Sequence, residues 1–368
     1  MRRTTLLPLA LLVVALTAAP PVLRSRASAS QEVAARVRLV TVSPGTDPAE
    51  RAASLGVRST RTWTTGFATS DPLPPGVGEK DVTVHAQATE SRAPWNLDRI
   101  DQRRLPLSGS YSWTGDGTGV TAYVVDTGVR LTSTDLAGRV TTGIDEVDGG
   151  PASDCNGHGT HVAGTLGGSR FGVAKRVRIV AVRVLDCRGS ASTSRVLAGL
   201  DWVLHHHVRP AVLNLSLGGA PSSALDAEVR ALVRDGVVVV VAAGNGDADG
   251  QAQDACSSSP ARTHIAITVS ATDRHDTKPE WANVGTCVDL FAPGVGVTSD
   301  WDTGDTATKT ISGTSMASPA AAGAAAVWLG THPAATPAQV RAALVRAATT
   351  GVVQDHGTAP DRLLHTGG

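Results

Sequence analysis

Short runs with no polar face, each followed by a stretch of helical pattern, constrain this chain more than any other feature. The runs are Val120 to Asp126, Ile179 to Asp186, Ala211 to Leu217, Val237 to Ala243, Ile265 to Ser270 and Val288 to Phe291. Helical patterns such as Thr193 to His207 and Ala224 to Asp235 separate them. A strand that is apolar on both sides must be covered on both sides, so the pattern predicts an α/β fold, a parallel sheet with helices on both faces. In such sheets the functional groups gather beyond the carboxyl ends of the strands. No internal repeat, coiled coil or low-complexity tract competes with this reading.

The 368 residues, 41% of them hydrophobic, suffice for one large domain and a smaller one. The 33 Lys plus Arg balance the 33 Asp plus Glu, and no basic cluster exceeds short runs such as Arg103-Arg104. The electrostatic footprint of a nucleic-acid binder is therefore missing. Arginines outnumber lysines 29 to 4, which reads as a coding bias rather than as arginine chemistry.

Residues 1–29 read as an export signal: Met1-Arg2-Arg3, an apolar run from Leu6 to Ala19, then the small residues Ala27-Ser28-Ala29. The apolar run is shorter than the roughly 20 residues that span a bilayer, so no membrane association is expected once the signal is removed. Four cysteines in an exported chain suggest two disulfides, with three connectivities open. Spacing prefers Cys155 with Cys187 and Cys256 with Cys287, two loops of similar size, each contributing roughly 3 to 4 kcal/mol on the chain-entropy view.

Residues 30–87 predict a small α+β unit. A strand at Val37 to Val42, a helix at Asp47 to Leu55, an aromatic strand around Trp63 to Phe67 and a last strand at Asp81 to Ala86 succeed one another. The prolines of Asp71 to Gly76 exclude a helix interior there. Residues 88–368 form the main domain.

Four residues at strand ends or helix starts carry chemistry. Ser315 lies in Gly313-Thr314-Ser315-Met316-Ala317-Ser318-Pro319, between a glycine turn and an alanine-rich helix. A serine is a weak nucleophile at neutral pH and needs a base, a group to orient the base and an oxyanion donor. His158 in Asn156 to Gly164, Asp126 at the end of Val120 to Asp126, and Asn245 after Ala242-Ala243-Gly244 supply these types in the order Asp, His, Asn, Ser. A turn aspartate, a structural histidine and a turn asparagine are the plain alternatives taken singly.

Other chemistries fail on the residues. His158 and His161 share one helical face, but no glutamate lies between them and no third zinc ligand is evident. The run His205-His206-His207 reads as a solvated helix end. An α/β-hydrolase needs Gly-x-Ser-x-Gly and the order Ser, acid, His, and neither holds. Neither GxGxxG nor a P-loop is present.

With Val125-Asp126-Thr127-Gly128, Asn156 to Gly164, Ser216-Leu217-Gly218-Gly219, Ala242 to Asn245 and Gly313 to Pro319, the chain resembles the subtilisin-like serine proteases, in the proteinase K and aqualysin branch. The resemblance runs from about Ala88 to Leu364 and implies a subtilisin-like sheet preceded by a propeptide. It implies that Ser315 attacks a peptide carbonyl, His158 moves the proton, Asp126 holds the imidazole, and Asn245 with the Ser315 N–H binds the oxyanion. Cys155 before the histidine, and the loop spacings, resemble the aqualysin disulfide pattern. Substrate is expected as an extended strand between Gly189, Ser190 and Ala191 and Ser216, Leu217 and Gly218. Ala242, Ala243 and Gly244 wall the pocket for the residue before the cut, and their small neutral surfaces imply an apolar or aromatic preference.

By the same resemblance residues 30–87 act as an intramolecular inhibitor, cut between Gln87 and Ala88, with Val84 to Gln87 as a product-like tail. The proline-rich segment stands where the propeptide family has its second helix. Calcium is expected at Asp98, Asp101 and Gln102, at i, i+3, i+4 spacing, closed over by Ser108 and Ser110. A second calcium site is expected at the Asp289 carboxylate with the carbonyls of His264 and Ala266. Ala320-Ala321 departs from the usual His-Val and implies a packing change only. The long loop Gly246 to Gln253, with Asp247-Ala248-Asp249-Gly250, reads as a solvated loop rather than another calcium site. Protein or peptide substrates and a monomer are implied; the alternative is a catalytically silent peptide-binding protein on the same scaffold.

Overall fold

The computed structural model describes residues 37–80 and 88–367. The chain divides into two compact units, Met1–His85 and Ala86–Gly368. The expected export signal, the strand at Asp81 to Ala86 and the cut after Gln87 lie outside the described residues.

In the first unit β1 (Arg38–Thr41), α1 (Pro48–Ser54), β2 (Arg61–Trp63), β3 (Gly66–Thr69) and β4 (Glu79–Lys80) follow in order. The strands form an antiparallel sheet in the order β2-β3-β1-β4. Asp47 caps α1 by accepting the Ala49 N–H at 2.8 Å, and Pro48 suits the first helical turn, where no N–H partner is needed. Val40, Val42, Ala52, Val57 and Phe67 bury together as its core. The single aromatic strand expected at Trp63 to Phe67 is instead a turn between β2 and β3.

The second unit opens with β5 (Ala88–Ser91), α2 (Trp95–Asp101) and β6 (Ser110–Trp113). The main sheet is built from β7 (Thr121–Asp126), β8 (Val140–Asp145), β9 (Arg178–Arg183), β10 (Ala211–Leu215), β11 (Val237–Ala242), β12 (Ile267–Thr272) and β13 (Leu290–Pro293). α3 (His158–Gly167), α4 (Thr193–His206) and α5 (Ser223–Arg234) are interleaved with these strands. β14 (Val297–Asp300) and β15 (Thr308–Ile311) form a hairpin before α6 (Thr314–Thr331) and α7 (Pro337–Ala347). The sheet is parallel throughout, in the order β13-β12-β11-β10-β7-β9-β8.

Strand alternation feeds two cores. Ala122 and Val124 of β7, with Val238 and Val240 of β11, face the layer containing α3 and α6. Tyr123 and Val125, with Val237, Val239 and Val241, face the layer containing α4 and α5. The first strand, β7, sits between β9 and β10, so the winding reverses direction there and opens a crevice beyond their carboxyl ends. β8 was not legible as a strand. It is a half-exposed edge strand with a register shift between Thr142 and Ile144, and Gly143 lies where a Cβ would come within 2.8 Å of Trp202.

One buried ion pair ties α2 to a distant turn. Arg99, with no exposed surface, gives Nε to Asp276 Oδ1 at 2.6 Å and Nη2 to Oδ2 at 2.9 Å, and its Nη1 donates to the Gln102 carbonyl. Removing one member of such a pair strands the other charge in the interior. Arg99→Met should lower stability by about 3 to 5 kcal/mol. Denaturant unfolding checks this, with Asp276→Asn expected to be similarly costly.

Candidate active site

Asp126 ends β7 with its side chain wholly buried. Its Oδ1 accepts the Thr127 N–H at 2.8 Å and lies 2.7 Å from His158 Nδ1, while Oδ2 is buried without a partner. A carboxylate can only accept, so Nδ1 carries the proton and Nε2 is left as the basic nitrogen. His158 opens α3, and the close approach of that helix to β7 explains its glycines. A Cβ on Gly159 would lie 2.1 Å from the Gly128 carbonyl oxygen, and Gly157 adopts φ 103° where a Cβ would strike Trp301.

Asp154, which the sequence reading missed, sets the turn before α3. Its Oδ1 accepts the N–H groups of Asn156 and Gly157 and the Thr127 hydroxyl, and its Oδ2 accepts the Thr160 N–H and hydroxyl. The available signal was an aspartate shortly before a glycine-led helix, the place where Asx turns form.

Ser315 stands in the first turn of α6, after Gly313 as N-cap, so its N–H has no preceding helical carbonyl to bond. Pro319 lies inside the helix four residues later and has no N–H, which deprives the Ser315 carbonyl of its helical donor. The Ser216 hydroxyl takes over that role at 2.8 Å, and the Ser315 hydroxyl donates back to the Ser216 carbonyl at 3.2 Å. Ser216 Oγ also accepts from Asn214 Nδ2 at 2.9 Å, and Asn214 Oδ1 accepts from the Ser318 hydroxyl at 2.7 Å. This buried chain pins the start of α6 to β10. Among the described residues Ser315 makes no hydrogen bond to His158.

Asn245 is oriented by Thr314, whose N–H and hydroxyl donate to Asn245 Oδ1 at 2.8 and 2.9 Å. Both acceptor positions being used, the amide nitrogen is the group left to donate. Asn283 braces the same turn: its Oδ1 accepts from the Gly246 and Gln253 N–H groups and its Nδ2 donates to the Ala243 carbonyl.

The His158 pKa is held above its ordinary value of 6.5: burial pushes it down, but the charge of Asp126 and its hydrogen bond more than reverse that, with Asp154 adding to them. His161 behaves oppositely. It is buried, donates from Nε2 to the Val297 carbonyl at 3.0 Å, and burial pushes its pKa down to about 4. It is a core histidine, not a partner of His158 in metal binding. His205 and His206 are exposed at the end of α4, with His206 stacked on Trp202.

Two adjoining depressions form a cleft. One of about 630 Å3 is lined by His158, Gly189, Ala191, Ser216, Leu217 and Gly218 among others, but not by Ser190. The other, of about 480 Å3, is lined by Ala242, Ala243, Gly244, Asn245 and Ser315, and also by Asp254. That carboxylate was not anticipated in a pocket with small neutral walls; its Oδ1 accepts the Cys256 N–H at 2.9 Å. Both disulfides form as spacing preferred, Cys155–Cys187 and Cys256–Cys287.

The first calcium set assembles. Asp98 accepts from Ser108 N, Ser108 Oγ and Gly109 N, and the Ser108 and Ser110 hydroxyls lie 2.9 Å apart. Gln102 Oε1 accepts from Ser108 N, and Asp101 Oδ2 from Ser112 N. Gln102 is not helical, as the spacing supposed, but extended beyond the end of α2. Asp101 Oδ1 is buried without a partner, and its pKa is raised by burial and by the Asp98 charge. An orphaned oxygen beside a second carboxylate fits a hard cation.

The second set is corrected. Arg341 Nη2 bonds Asp289 Oδ1 and the Thr268 N–H takes Oδ2, so a guanidinium stands where the cation was expected. His264 lines a cavity with Asp289, but Ala266 does not. The loop Gly246 to Gln253 closes on itself through Asp247, which accepts from Asp249 N, Gln251 N and Gln253 Nε2.

Residues 117–364 match the profile of the subtilase family. The chain is 55% identical over 290 residues to an extracellular serine proteinase of Thermus sp. strain Rt41A, covering 78% of this chain and 70% of that protein. It is 51% identical to alkaline serine exoprotease A of Vibrio alginolyticus, covering 78% of this chain but only 52% of that relative. The crystal structure of a cold adapted subtilisin-like serine proteinase superposes with a TM-score of 0.72 at 49% identity, covering 75% of this chain and 99% of that one. The chain belongs to the subtilase family and is a subtilisin-like serine endopeptidase.

Proposed function

We propose that Ser315, His158 and Asp126 form a catalytic triad that cleaves proteins through an acyl-enzyme, with Asn245 and the Ser315 N–H as oxyanion donors. The observation that carries this reading is the 2.7 Å contact between His158 Nδ1 and the buried Asp126 carboxylate, at the sheet edge that also bears Ser315. The Ser315 hydroxyl, resting on the Ser216 carbonyl, turns toward His158 Nε2 when substrate is bound; Nε2 takes its proton as Oγ attacks and returns it to the leaving amine. The Asp126–His158 contact, with Ser315 at the start of α6 and an amide donor held ready by Thr314, disfavours a silent peptide-binding protein.

Substrate lies along Gly189 to Ala191 and Ser216 to Gly218, and the residue before the cut enters the pocket of Ala242 to Gly244. The preference there is apolar or aromatic, the Asp254 charge being partly engaged by its turn. Residues 1–29 direct export, in line with the extracellular Thermus relative. Residues 30–87 form a propeptide that restrains the enzyme until the chain cuts itself after Gln87, releasing 88–368. Calcium, held by Asp98, Asp101, Gln102, Ser108 and Ser110, neutralises the paired carboxylates and stabilises the fold.

Ser315→Ala should lower kcat by about 10^6-fold, the order known for the subtilisin serine. It should also leave a precursor of full post-signal length, read by gel and mass spectrometry; normal maturation at low concentration would contradict self-cleavage. The pH profile tests His158. Only the neutral imidazole acts as a base, so kcat/KM should rise with pH through a midpoint above 6.5, and Asp126→Asn should move the residual limb lower. The same raised pKa contributes stability below pH 6.5 that is lost as pH rises through the native value. Chelation of calcium should lower the melting temperature of the mature enzyme, and Asp101→Asn should blunt that shift; an unchanged melting curve would remove calcium from the account.

A further inference from the structure

The cavity beside Asp289 is large, about 950 Å3, and shares no lining residue with the cleft that holds Ser315. Its walls come from α5, α7 and the segments around Pro210, His264 and Arg362. Arg230, Arg234, Arg346 and Arg362 all line it, and among the described residues none of these four side chains makes an ion pair or hydrogen bond. Two further arginines are engaged, Arg341 with Asp289 and Arg209 with Asp235. Among the described residues Asp289 is the only acidic one in the lining. Between the guanidiniums the surface is apolar, with Val233, Leu329, Val345 and Ile265, the last one of the few large hydrophobic residues left exposed, at 41%.

We propose that this cavity is a docking site for acidic peptide segments in which carboxylates alternate with apolar side chains. Guanidinium forks pair carboxylates in bidentate fashion, and these four are spread over three separate parts of the wall. A ligand with one charged head meets one or two of them; a chain bearing several carboxylates meets all. The apolar floor takes the intervening side chains, and the volume is of the size that small ligands or short peptides fill. A single-stranded nucleic acid finds no Phe, Tyr or Trp ring in the lining on which to stack successive bases. For a peptidase the consequence is retention of acidic protein substrates away from the cleft. That consequence rests on the peptidase reading, while the binding itself does not.

The test uses the full chain carrying Ser315→Ala, so that the probe is not cut, and a fluorescein-labelled peptide of alternating Glu and Leu read by anisotropy. Saturable binding is expected, weakened by added salt and at least tenfold weaker in Arg230→Glu/Arg346→Glu. Equal affinity for the charge-reversed chain, equal affinity for a Gln and Leu peptide, absence of saturable binding, or displacement by inorganic phosphate alone would each overturn the proposal. With Ser315 intact, the charge-reversed chain should hydrolyse a short neutral peptide with unchanged kcat/KM. Should the double variant fail to fold, Arg230→Gln and Arg346→Gln singly must each weaken binding, and unchanged affinity in both overturns it. Absence of peptidase activity in the chain with Ser315 intact, alongside saturable peptide binding, would reject the catalytic reading and leave the docking site standing.

Discussion

A carboxylate with no exposed surface and one unpartnered oxygen is the constraint around which the rest of the site is arranged. Asp126 is costly to bury charged, and among the described residues its only compensating hydrogen bonds are with the Thr127 N–H and the His158 imidazole. The imidazole must therefore come close, which requires α3 to begin directly against the end of β7. That approach leaves no room for a Cβ at Gly159, and Asp154 organises the turn that delivers the helix. The raised pKa of His158 is the same contact seen from the other partner: the carboxylate stabilises the imidazolium more than burial penalises it.

Ser315, the proposed nucleophile, is placed by a different device. A proline inside α6 removes one helical hydrogen bond, and the vacated carbonyl belongs to Ser315 itself. Ser216 fills the vacancy, and through Asn214 and Ser318 it joins the helix to the strand beside β7. A polar residue in an all-apolar strand is expensive unless fully bonded, and here each member of the chain is bonded. Position along the sheet edge is thus transmitted from backbone to hydroxyl by buried hydrogen bonds rather than by packing alone.

Much of this was legible in sequence, for physical reasons. Strands buried on both faces carry no alternation, and β7, β9, β10, β11, β12 and β13 announced themselves within a few residues. β8 did not, because an edge strand half in water, with a glycine under Trp202, has neither continuous nor alternating apolarity. The residues of the proposed triad and the cysteine spacing stood out because glycines and chain order mark them. Asn214, Ser216 and Ser318 as a connected chain were not, since a hydrogen bond between residues about a hundred positions apart leaves no local pattern. Gln102 shows the limit of spacing arguments: it keeps its place beside Asp98 through Ser108, although the helix that justified the expectation ends before it.

Charge is where one-dimensional reading is weakest. A net charge of zero and an arginine bias gave no reason to expect a basic site, yet the fold gathers six arginines from separate segments around one cavity. Helical periodicity accounts for part of this, since Arg230 and Arg234 are four residues apart on α5 and face the same way. The remainder is tertiary, brought together where α7 and the segment at Arg362 close the wall. Asp289 illustrates the consequence. As a residue type it suits a calcium ligand, but with Arg341 on one oxygen and the Thr268 N–H on the other it anchors a guanidinium instead. The chemistry of a buried carboxylate is decided by which positive group the fold brings to it, and here two such carboxylates, Asp126 and Asp289, receive an imidazole and a guanidinium. One holds an imidazole whose pKa is raised above its ordinary value; the other holds a guanidinium that stays charged.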